Sequence, residues 1–558
     1  MMYFLSRWIA TLIIGVATML AGQHTTVYAY DIGCVYPSEM PEPFTARGTL
    51  TIALINYILT LQHETPIVVH KAHQTTYCGT NCISYHDDTS LNAFTKSRPP
   101  FSTPTDFFNS WSRTLCIVQC YAMLLPPEVT DALIASWDLE LLPTSKELMD
   151  CDNESSCLQA IVKKEDYDPR LIGQVVYLEI ATHLEDDGWN SLGSHTYDAE
   201  IDSIVDCTTN CAPYSDTTGY FPRNHPGQKR TKMRKKSKGG KSSKSSKEKY
   251  IVKGNDKLWQ PLLETDDHGN FLRQDHVTPH IGYTAKPLLI SKYKEAEKPE
   301  YDYRTEANLV VNRLQELVGN EERIQILHDF DNKLLLRGVI QLSMQHQFVS
   351  SLTFEDYIMF LSGISSAEHD AVLQVWREKV RYDRVRPTTV IQRWNDEVIN
   401  TFNGDPSSTE PKDIKARDFQ SFIRVMPHSE YPSGSASICT AYAEFTDLFT
   451  QEYFGENLNL LPVGKGGINH GCEEGSPFQI GCRTSYHVHN MTELASVCGE
   501  SRLWGGMHFT KSVEAGNDIV SGLGQLALDF VRSIKAGSNW TNSYTQGSSR
   551  PVCGELEV

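Results

Sequence analysis

The sequence predicts an all-α fold made of helical bundles. From residue 250 onward, apolar residues recur at spacings of three and four, the period of an α-helix, whereas the alternating pattern of a strand is sparse. The clearest stripe joins five apolar residues near the C-terminal end: Ile519, Leu523, Leu526, Phe530 and Ile534. Facing helices of a bundle can gather polar side chains in its core, so polar residues beside these helices are the candidates for a functional site.

Each predicted helix is placed by its apolar pattern. In the C-terminal half the pattern predicts helices over residues 305–317, 321–344, 354–383, 435–454 and 512–534. In the N-terminal half it predicts helices over residues 49–61 and 112–125, and a third over 128–139 that begins after two prolines.

The chain is long enough for several domains. Its 558 residues carry a formal net charge of −18, with 22% charged and 40% hydrophobic residues, which leaves room for two or three domains and a large core. Five segments are predicted: a signal peptide over 1–29, an N-terminal helical region over 30–222, a basic insertion over 223–250, a helical region with the functional site over 251–540 and a C-terminal tail over 541–558.

The first segment has the pattern of a secretory signal. Arg7 precedes an apolar run over residues 8–20, and Val27, Tyr28 and Ala29 offer a cleavage site. The run is short for a membrane anchor, and no later stretch reaches about 18 consecutive apolar residues. We therefore expect a secreted or cell-surface protein with no membrane span.

Fourteen cysteines fit this compartment. Most fall in close pairs without the two-residue spacing of a zinc knuckle, so disulfides are favoured over zinc, although the spacing leaves their connectivity open. The pairs are Cys78 and Cys82, Cys116 and Cys120, Cys151 and Cys157, Cys207 and Cys211, and Cys472 and Cys482. Sequons at Asn153, Asn490 and Asn539 are consistent with glycosylation.

Residues 229–249 differ in kind from the rest of the chain. They hold eleven basic residues and one acidic residue in repeated Lys-Ser steps, which predicts a disordered, solvated insertion. This stretch carries +10, so the remainder carries −28. The stretch either binds polyanions or the protein's own acidic surface, or it is a plain flexible loop. The predicted export argues against a role in binding nucleic acid.

Three short blocks in the C-terminal region carry anion-binding residues. KVRYDRVRP runs from Lys379 to Pro387, YPSGS from Tyr431 to Ser435, and SRLWGGMH from Ser501 to His508. In the first block Lys379 and Arg386 lie seven residues apart, two turns of a helix, so we expect both to project from one helix face. Pro387 favours an end of the helix at Arg386.

The other two blocks complete the predicted site. Ser433 is expected near the N-cap of a helix, and the Gly434 N–H among the free donors of its first turn. Arg502 adds a second guanidinium, and His508 adds a nitrogen ligand. Two guanidinium groups, an ammonium, a hydroxyl and a helix N-terminus at one point describe a site for a highly charged tetrahedral oxyanion, with a histidine that can bond its central atom.

The pattern K-x6-R-P, then P-S-G-x, then S-R-x5-H resembles that of the vanadium-dependent haloperoxidases and the related type 2 phosphatidic acid phosphatases. Each block alone is weak, but three in this order are specific. Residues 259–262 (WQPL) and 274–279 (QDHVTP) are also similar to the larger secreted members, so the resemblance covers most of the chain after about residue 219. It implies helical bundles of the vanadium haloperoxidase and type 2 acid phosphatase kind.

The resemblance also implies a cofactor and a reaction. The cofactor is vanadate, bonded to one ring nitrogen of His508. Its oxygens are neutralised by Lys379, Arg386, Ser433, Gly434 and Arg502. The reaction is oxidation of a halide by hydrogen peroxide to hypohalous acid, with organic acceptors as further partners and with Lys379, Ser435 and His508 as the catalytic residues.

Two positions depart from the family pattern. The second block commonly reads P-S-G-H, and Ser435 stands in place of that histidine. The phosphatases carry an aspartate four residues after the final histidine, where this chain has Ser512. Phosphatases use the missing histidine to protonate the leaving alkoxide, and a serine hydroxyl is too weak an acid to replace it. Phosphatase activity is thus disfavoured, and halide oxidation stays compatible with the sequence.

The prediction is therefore a secreted vanadate-dependent haloperoxidase that acts on iodide or bromide more readily than on chloride. The alternatives are a phosphoryl hydrolase of the same superfamily and a non-catalytic secreted protein that binds an oxyanion. The sequence leaves the organic substrate and the oligomeric state open.

Several further residues have weaker predicted roles. His63, His70 and His73 lack the carboxylate or cysteine frame of a metal site and are expected to be surface or packed histidines. Three histidines close in sequence to the blocks are candidates to take over proton transfer: His428, His487 and His489. Trp504 and Phe509 are candidates for the wall of a halide pocket.

Overall fold

The computed structural model describes residues 64–84, 110–125, 169–209, 212–222, 224, 256–265, 271–331, 333–402, 408–463 and 486–537. The predicted signal peptide over 1–29, helices over 49–61 and 128–139, basic stretch over 229–249 and C-terminal tail over 541–558 lie outside these residues. In the described part the fold is all-α, as predicted. Among the described helices, none has the length and hydropathy that crossing a membrane requires.

Three helices of the N-terminal region are described: α1 (Thr65–Ser84), α2 (Ser110–Leu124) and α3 (Pro169–Glu185). Helix α2 was predicted, whereas α1 and α3 were not. Helix α1 is hard to detect from sequence because nearly all of its side chains are buried, the polar ones included, so it has no polar face to contrast with an apolar stripe.

Strands are confined to short antiparallel hairpins in the described residues. They pair β1 (His195–Asp198) with β2 (Ser203–Asp206), β3 (Leu263–Thr265) with β4 (Phe271–Arg273), and β5 (Val398–Thr401) with β6 (Lys412–Lys415). Each sheet has two strands, so the hairpins connect helices and form no layer of their own.

The C-terminal region is a succession of helices. They are α4 (Ile281–Thr284), α5 (Tyr303–Gln315), α6 (Glu321–Asp331), α7 (Lys333–Gln347), α8 (Phe354–Tyr382), α9 (Pro387–Gln392), α10 (Gly434–Phe454), α11 (Met491–Trp504), α12 (Thr510–Ile519) and α13 (Leu523–Lys535).

Three of the five predicted C-terminal helices are confirmed to within a few residues, as α5, α8 and α10. The predicted helix over 321–344 is two helices, α6 and α7, and the one over 512–534 is also two, α12 and α13. The second break falls at Gly522, whose φ of 94° lies in the left-handed region that favours glycine. Helix α11 was not predicted.

Helix α8 is the centre of the fold. The Thr353 side chain caps its N-terminus by accepting the Asp356 N–H at 3.1 Å, and Asp383 ends it in a left-handed conformation with φ 49°. The helix packs against α1, α4, α10 and α13 and is buried along most of its length. Its C-terminal end lies between a large apolar cluster, which includes Trp376, and a second cluster that includes Val385.

Three disulfides are described. Cys78 pairs with Cys120 and Cys82 with Cys116, so two of the close pairs noted in the sequence crosslink α1 to α2. The third disulfide, Cys439–Cys498, links α10 to α11. The preference for disulfides over zinc is confirmed for these cysteines.

His70 and His73 are packed histidines, as expected, and His63 lies outside the described residues. His70 Nε2 lies 2.8 Å from Asp187 Oδ2, and the His73 ring stacks on His369 with the centroids 4.3 Å apart. In the described part of the chain no three His, Cys, Asp or Glu side chains are placed to hold a metal ion.

The close approach of α8 to α10 gives a stability prediction. A Cβ at Gly363 would lie 2.1 Å from Cζ of Phe445, which is fully buried, whereas a Cβ at Gly338 in α7 would meet nothing within 4 Å. We expect Gly363→Ala to lower the free energy of unfolding by about 1–3 kcal/mol through overpacking. The matched change Gly338→Ala should raise it by up to about 1 kcal/mol, because alanine has the higher helix propensity. Thermal unfolding measures both, and equal effects would contradict the packing described.

Candidate oxyanion site

The first block is split between two helices. Lys379 lies in the last turn of α8, but the helix ends at Tyr382, and Arg386 is the N-cap residue of α9. The prediction that both cations project from one helix face is therefore wrong. Pro387 keeps Arg386 out of a helical conformation and occupies the first position of α9 instead. The turn at Asp383 nevertheless brings both cations to the same loop, over residues 428–432.

The Lys379 ammonium is fully buried and is held by backbone oxygens. Its Nζ donates to the carbonyl oxygens of Ser429 at 3.0 Å, Glu430 at 3.1 Å and Pro432. An ammonium has three donors, so this loop satisfies all of them. Lys379 must give up one of these bonds to donate directly to an anion.

The Arg386 guanidinium is held on the other side of the same loop. Its Nε donates to the His428 carbonyl oxygen and its Nη2 to His428 Nδ1, both at 3.0 Å. Its Nη1 donates to the Met507 carbonyl oxygen at 3.0 Å and lies 3.3 Å from His508 Nε2. Arg386 thereby joins the first and third blocks.

The second block forms the start of α10, as predicted. Ser433 is the N-cap residue, and its hydroxyl oxygen accepts the Ala436 N–H at 3.4 Å. A Cβ added to Gly434 would lie 3.8 Å from Cε of Lys379, which places the helix start beside the lysine. The first N–H groups of a helix have no partner within it and lie at its positive end, so this end of α10 favours an anion. Ser435 is the second helical residue and is half-buried.

Arg502 lies in the last turn of α11, and one nitrogen of its guanidinium has no partner among the described residues. Its Nη1 donates to Asp331 Oδ1 at 2.8 Å, and its Nε donates to Ser501 Oγ at 3.1 Å. Its Nη2 is buried without a hydrogen-bond partner in the described part of the chain. A buried donor without a partner is costly, so this nitrogen marks a position where an acceptor is missing.

His508 is a neutral imidazole whose proton position is fixed by its neighbours. A guanidinium can only donate, so Nε2, which faces Arg386 Nη1, is an acceptor. The ring proton is therefore on Nδ1 and is donated to Glu430 Oε1 at 3.0 Å. Burial, with repulsion from Arg386, Lys379 and Arg502, holds the pKa of His508 well below its usual range. The Nε2 lone pair is thus the one available for a bond to a metal centre.

Glu430 is a site residue that the sequence prediction missed. It is fully buried, and besides His508 it accepts the Phe509 N–H at 3.0 Å and the Tyr301 hydroxyl at 3.1 Å. Ser512, at the position of the phosphatase aspartate, has its hydroxyl 3.2 Å from His508 Nδ1. A carboxylate therefore does reach this nitrogen, but from the loop before the second block. Only the charge of Glu430 between two predicted blocks could have drawn attention to it.

Of the three histidines proposed for proton transfer, only His428 contacts another predicted site residue in the described structure. Its ring lies 4.9 Å from that of Trp376, and its Nδ1 accepts from Arg386. His487 and His489 are exposed, and His487 bonds the Leu460 carbonyl oxygen. His428 thus holds Arg386 in position.

The upstream segments of the resemblance brace the loop from behind. Gln274 Nε2 donates to the Val425 carbonyl oxygen at 2.7 Å, and the Val277 N–H donates to that of Pro427 at 3.0 Å. The Trp259 N–H donates to the Asp383 carbonyl oxygen at 2.7 Å, at the turn between α8 and α9. The WQPL and QDHVTP segments therefore support both cations of the first block.

The two aromatic candidates have different surroundings. Phe509 is fully buried, with its ring 5.0 Å from that of Tyr301 and 5.8 Å from that of Tyr303. Trp504 is half-buried, and the Arg323 guanidinium carbon lies over its ring, 4.8 Å from the ring centroid. Their role beside a halide stays a prediction.

The charges of the site are unbalanced. Burial and repulsion from Arg386 hold the pKa of Lys379 well below its usual range, and burial with repulsion from Arg502 lowers the pKa of Arg386 to about 10. Burial raises the pKa of Glu430, and the Phe509 N–H, Arg386 and Lys379 oppose that rise. An anion among the cations would relieve their repulsion. One imidazole nitrogen surrounded by donors suits an oxyanion with a metal at its centre better than a bare cation.

The fold and this arrangement describe a helical-bundle protein with a buried candidate site for an oxyanion. Residues 359–537 match the family model described as the VCPO second helical-bundle domain. This range contains all three blocks. No curated protein sequence matches the chain significantly.

Three solved bacterial structures share the fold. A holo-type and an apo-type vanadium-dependent chloroperoxidase each have a TM-score of 0.64 and 20% identity; both comparisons cover 86% of this chain, and 94% and 98% of the respective neighbours. The structure of the first bacterial vanadium-dependent iodoperoxidase has a TM-score of 0.54 and 14% identity. The comparison covers 89% of this chain and 97% of the iodoperoxidase chain. The family match and these likenesses confirm the resemblance to the vanadium-dependent haloperoxidases, and the chain has their fold.

A histidine behind the site gives a pH prediction. Burial lowers the pKa of His276 from 6.5 to about 3, and the imidazole accepts the Ser429 N–H at 3.4 Å. Between pH 6.5 and about pH 3 the unfolded chain binds more protons at this histidine than the folded chain does. The free energy of unfolding therefore falls as the pH falls through this range. We expect His276→Asn to flatten this slope by up to about 1.4 kcal/mol per pH unit. Denaturant unfolding between pH 4 and pH 7 measures the slope, and a slope equal to that of the wild-type protein would contradict the prediction.

Proposed function

We propose that this protein is a secreted vanadate-dependent haloperoxidase that uses hydrogen peroxide to oxidise a halide to hypohalous acid. The observation that carries the proposal is the neutral His508 ring, with its Nε2 lone pair turned toward Arg386 at 3.3 Å within a group of buried cations. A nitrogen ligand inside an anion site is what binding of a metal oxyanion requires, and an anion held by charge alone does not need it.

The residues present fit vanadate. His508 Nε2 would bond the metal, and Arg386 Nη1 would exchange its contact with that nitrogen for an oxygen of the anion. The unpartnered Arg502 Nη2 and the first N–H groups of α10 supply further donors. When bound, vanadate would supply a Lewis-acidic centre that activates hydrogen peroxide toward a halide without a change of oxidation state.

Lys379 would act as a fixed positive charge near a bound anion. Its ammonium lies beside the start of α10, where the loop carbonyl oxygens hold it without rotational freedom. A preorganised charge of this kind withdraws electron density from the nearest bound oxygen without reorganising during the reaction. That role requires the lysine to be near the anion and does not require a direct hydrogen bond.

Proton supply is the weak part of the arrangement. The Ser435 hydroxyl can hydrogen-bond a bound oxygen but is a poor acid. Burial, together with Lys379 and Arg386, holds the pKa of His428 well below its usual range, so this ring is neutral and acts as an acceptor for Arg386. Oxidation of a halide needs less from a protein acid than expulsion of an alkoxide does, which favours the peroxidase over the hydrolase.

The halide, the acceptor and the location are parts of the same proposal. Iodide is the easiest halide to oxidise, and we propose iodide or bromide as the substrate, with organic molecules as acceptors of the product. The similar structures include a chloroperoxidase and an iodoperoxidase, so the fold does not select the halide. Secretion is supported by the signal pattern over residues 1–29 and by the three described disulfides.

One observation favours phosphoryl hydrolysis as a second candidate. The contact of Glu430 with His508 Nδ1 at 3.0 Å gives the histidine the carboxylate partner that a nucleophilic imidazole uses. The missing acid at Ser435 counts against this candidate. Binding of an oxyanion without catalysis is the third outcome of the assays below.

His508 provides the test of the proposed site. We expect His508→Ala to abolish halide oxidation and vanadate binding, because the lost nitrogen is the only proposed bond to the metal. Iodide and bromide oxidation are assayed with hydrogen peroxide after incubation with orthovanadate, beside a phosphomonoester assay. Circular dichroism checks the fold, and His489→Ala, at an exposed position, is the matched control.

The wild-type protein separates the three candidates. Vanadate-dependent halide oxidation supports the peroxidase, and phosphomonoester hydrolysis inhibited by vanadate supports the hydrolase. Vanadate binding with neither activity supports a binding protein. An unchanged oxidation rate in His508→Ala would refute the assignment of the metal ligand.

A further inference from the structure

Glu430 is the buried acid that contacts the proposed metal ligand. Its Oε1 accepts both the His508 Nδ1–H and the Phe509 N–H at 3.0 Å, and its Oε2 accepts the Tyr301 hydroxyl at 3.1 Å. Three donors on two segments, residues 508–509 and the chain before α5, fix the orientation of this fully buried side chain. Glu430 is therefore a rigid acceptor beside His508.

The other neighbour of His508 Nδ1 cannot replace this acceptor. The Ser512 hydroxyl lies 3.2 Å from Nδ1 and 3.2 Å from the Glu430 carbonyl oxygen. A carbonyl oxygen can only accept, so the Ser512 proton is directed to it, and the serine oxygen is at most a second, neutral acceptor for Nδ1–H. The carboxylate is the stronger of the two partners.

The carboxylate has opposite effects on two kinds of anion. Toward an anion held by charge and hydrogen bonds alone, a buried negative charge beside the cations is repulsive and reduces the affinity. The effect is different for an anion whose central atom takes a bond from His508 Nε2. Here the same carboxylate fixes the ring proton on Nδ1 and makes Nε2 a stronger ligand for the central atom. Inorganic phosphate at equilibrium forms no bond to an imidazole and is an anion of the first kind, even if a phosphoryl group bonds the histidine in passing during hydrolysis. Vanadate is an anion of the second kind.

We propose that Glu430 is the residue that makes this site select vanadate over phosphate. It fixes His508 Nε2 as a ligand for the central atom, and its negative charge opposes anions that form no bond to His508. The inference rests on the proposed function and assigns a specificity determinant within it. Glu430 is a positioning residue, since it acts through His508 and touches no reacting atom.

The test compares two anions in one variant. Glu430→Gln keeps the shape and one acceptor oxygen but removes the charge. Isothermal titration calorimetry with orthovanadate and with inorganic phosphate, each against the full-length protein without added cofactor, gives the ratio of the two affinities. We expect this ratio to fall by about tenfold or more, because loss of an outer partner of a metal-binding histidine weakens metal affinity by about 10–100-fold. Phosphate affinity should stay the same or rise.

Asp331→Asn is the matched control. Asp331 pairs with Arg502 at 2.8 Å. The change therefore also removes the negative charge next to one cation of the candidate site, but it leaves the contact between Glu430 and His508 intact. Both anion affinities should shift in the same direction in this variant, and their ratio should be maintained. A parallel shift of both anions in Glu430→Gln as well would overturn the proposal, because it would reduce Glu430 to a general electrostatic contribution.

A measurement on the wild-type protein covers the case in which Glu430→Gln does not fold. The ¹⁵N spectrum of histidine-labelled protein, with the His508 signals identified by their loss in His508→Gln, reports which ring nitrogen carries the proton. The proposal requires a neutral ring protonated on Nδ1, and a proton on Nε2 would contradict it.

Failure of this inference is separable from failure of the proposed function. A wild-type protein that does not bind vanadate overturns both. A wild-type protein that binds vanadate, together with an unaltered affinity ratio in Glu430→Gln, leaves the proposed function in place and removes only the role of Glu430.

Discussion

The constraint on which the site depends is the solvation of buried positive charge by one loop. The carbonyl oxygens of residues 428–432 accept from Lys379 at the end of α8 and from Arg386 at the start of α9. Desolvating two neighbouring cations is expensive, and backbone dipoles offset that cost without neutralising the charge. The loop thus holds an ammonium and a guanidinium close together and leaves a net positive region for an anion. Ser433 then begins α10 immediately after the loop, and its N–H donates to the Ser512 carbonyl oxygen at 2.9 Å, which ties α12, the helix after the third block, to the second block.

The sequence predicted which groups of the candidate site lie close together better than it predicted the residues that support them. Lys379, Arg386, Ser433 and His508 do converge, because each belongs to a block in which several residue types had to coincide. The geometric reason offered for Lys379 and Arg386 was wrong, since a heptad spacing assumes a continuous helix and Asp383 ends this one with a positive φ. Aspartate adopts that conformation more readily than most residues, but its presence alone does not show where a helix ends. Here the Trp259 N–H donates to the Asp383 carbonyl oxygen from more than a hundred residues away in the chain.

The residues that were missed share a different property. Glu430 and Asp331 contact His508 and Arg502 from distant parts of the chain, and a single acidic residue has no spacing from which such a contact can be read. The same limit applies to α1, whose buried polar residues remove the stripe that a surface helix shows. Periodic patterns report the division between core and solvent, so they predicted α8 and α10 well and were uninformative wherever polar groups are buried as partners of one another.

The Cys439–Cys498 disulfide has a consequence for how this site comes together. Cys439 follows Gly434 by little more than one turn of α10, and Cys498 precedes Arg502 by about one turn of α11. The crosslink thus joins the helix start at the candidate site to the helix end that carries Arg502, across 59 residues of chain. Protein produced in a reducing cytosol would lack this disulfide. Expression through an oxidising compartment is therefore the appropriate source of protein for studies of the candidate oxyanion site.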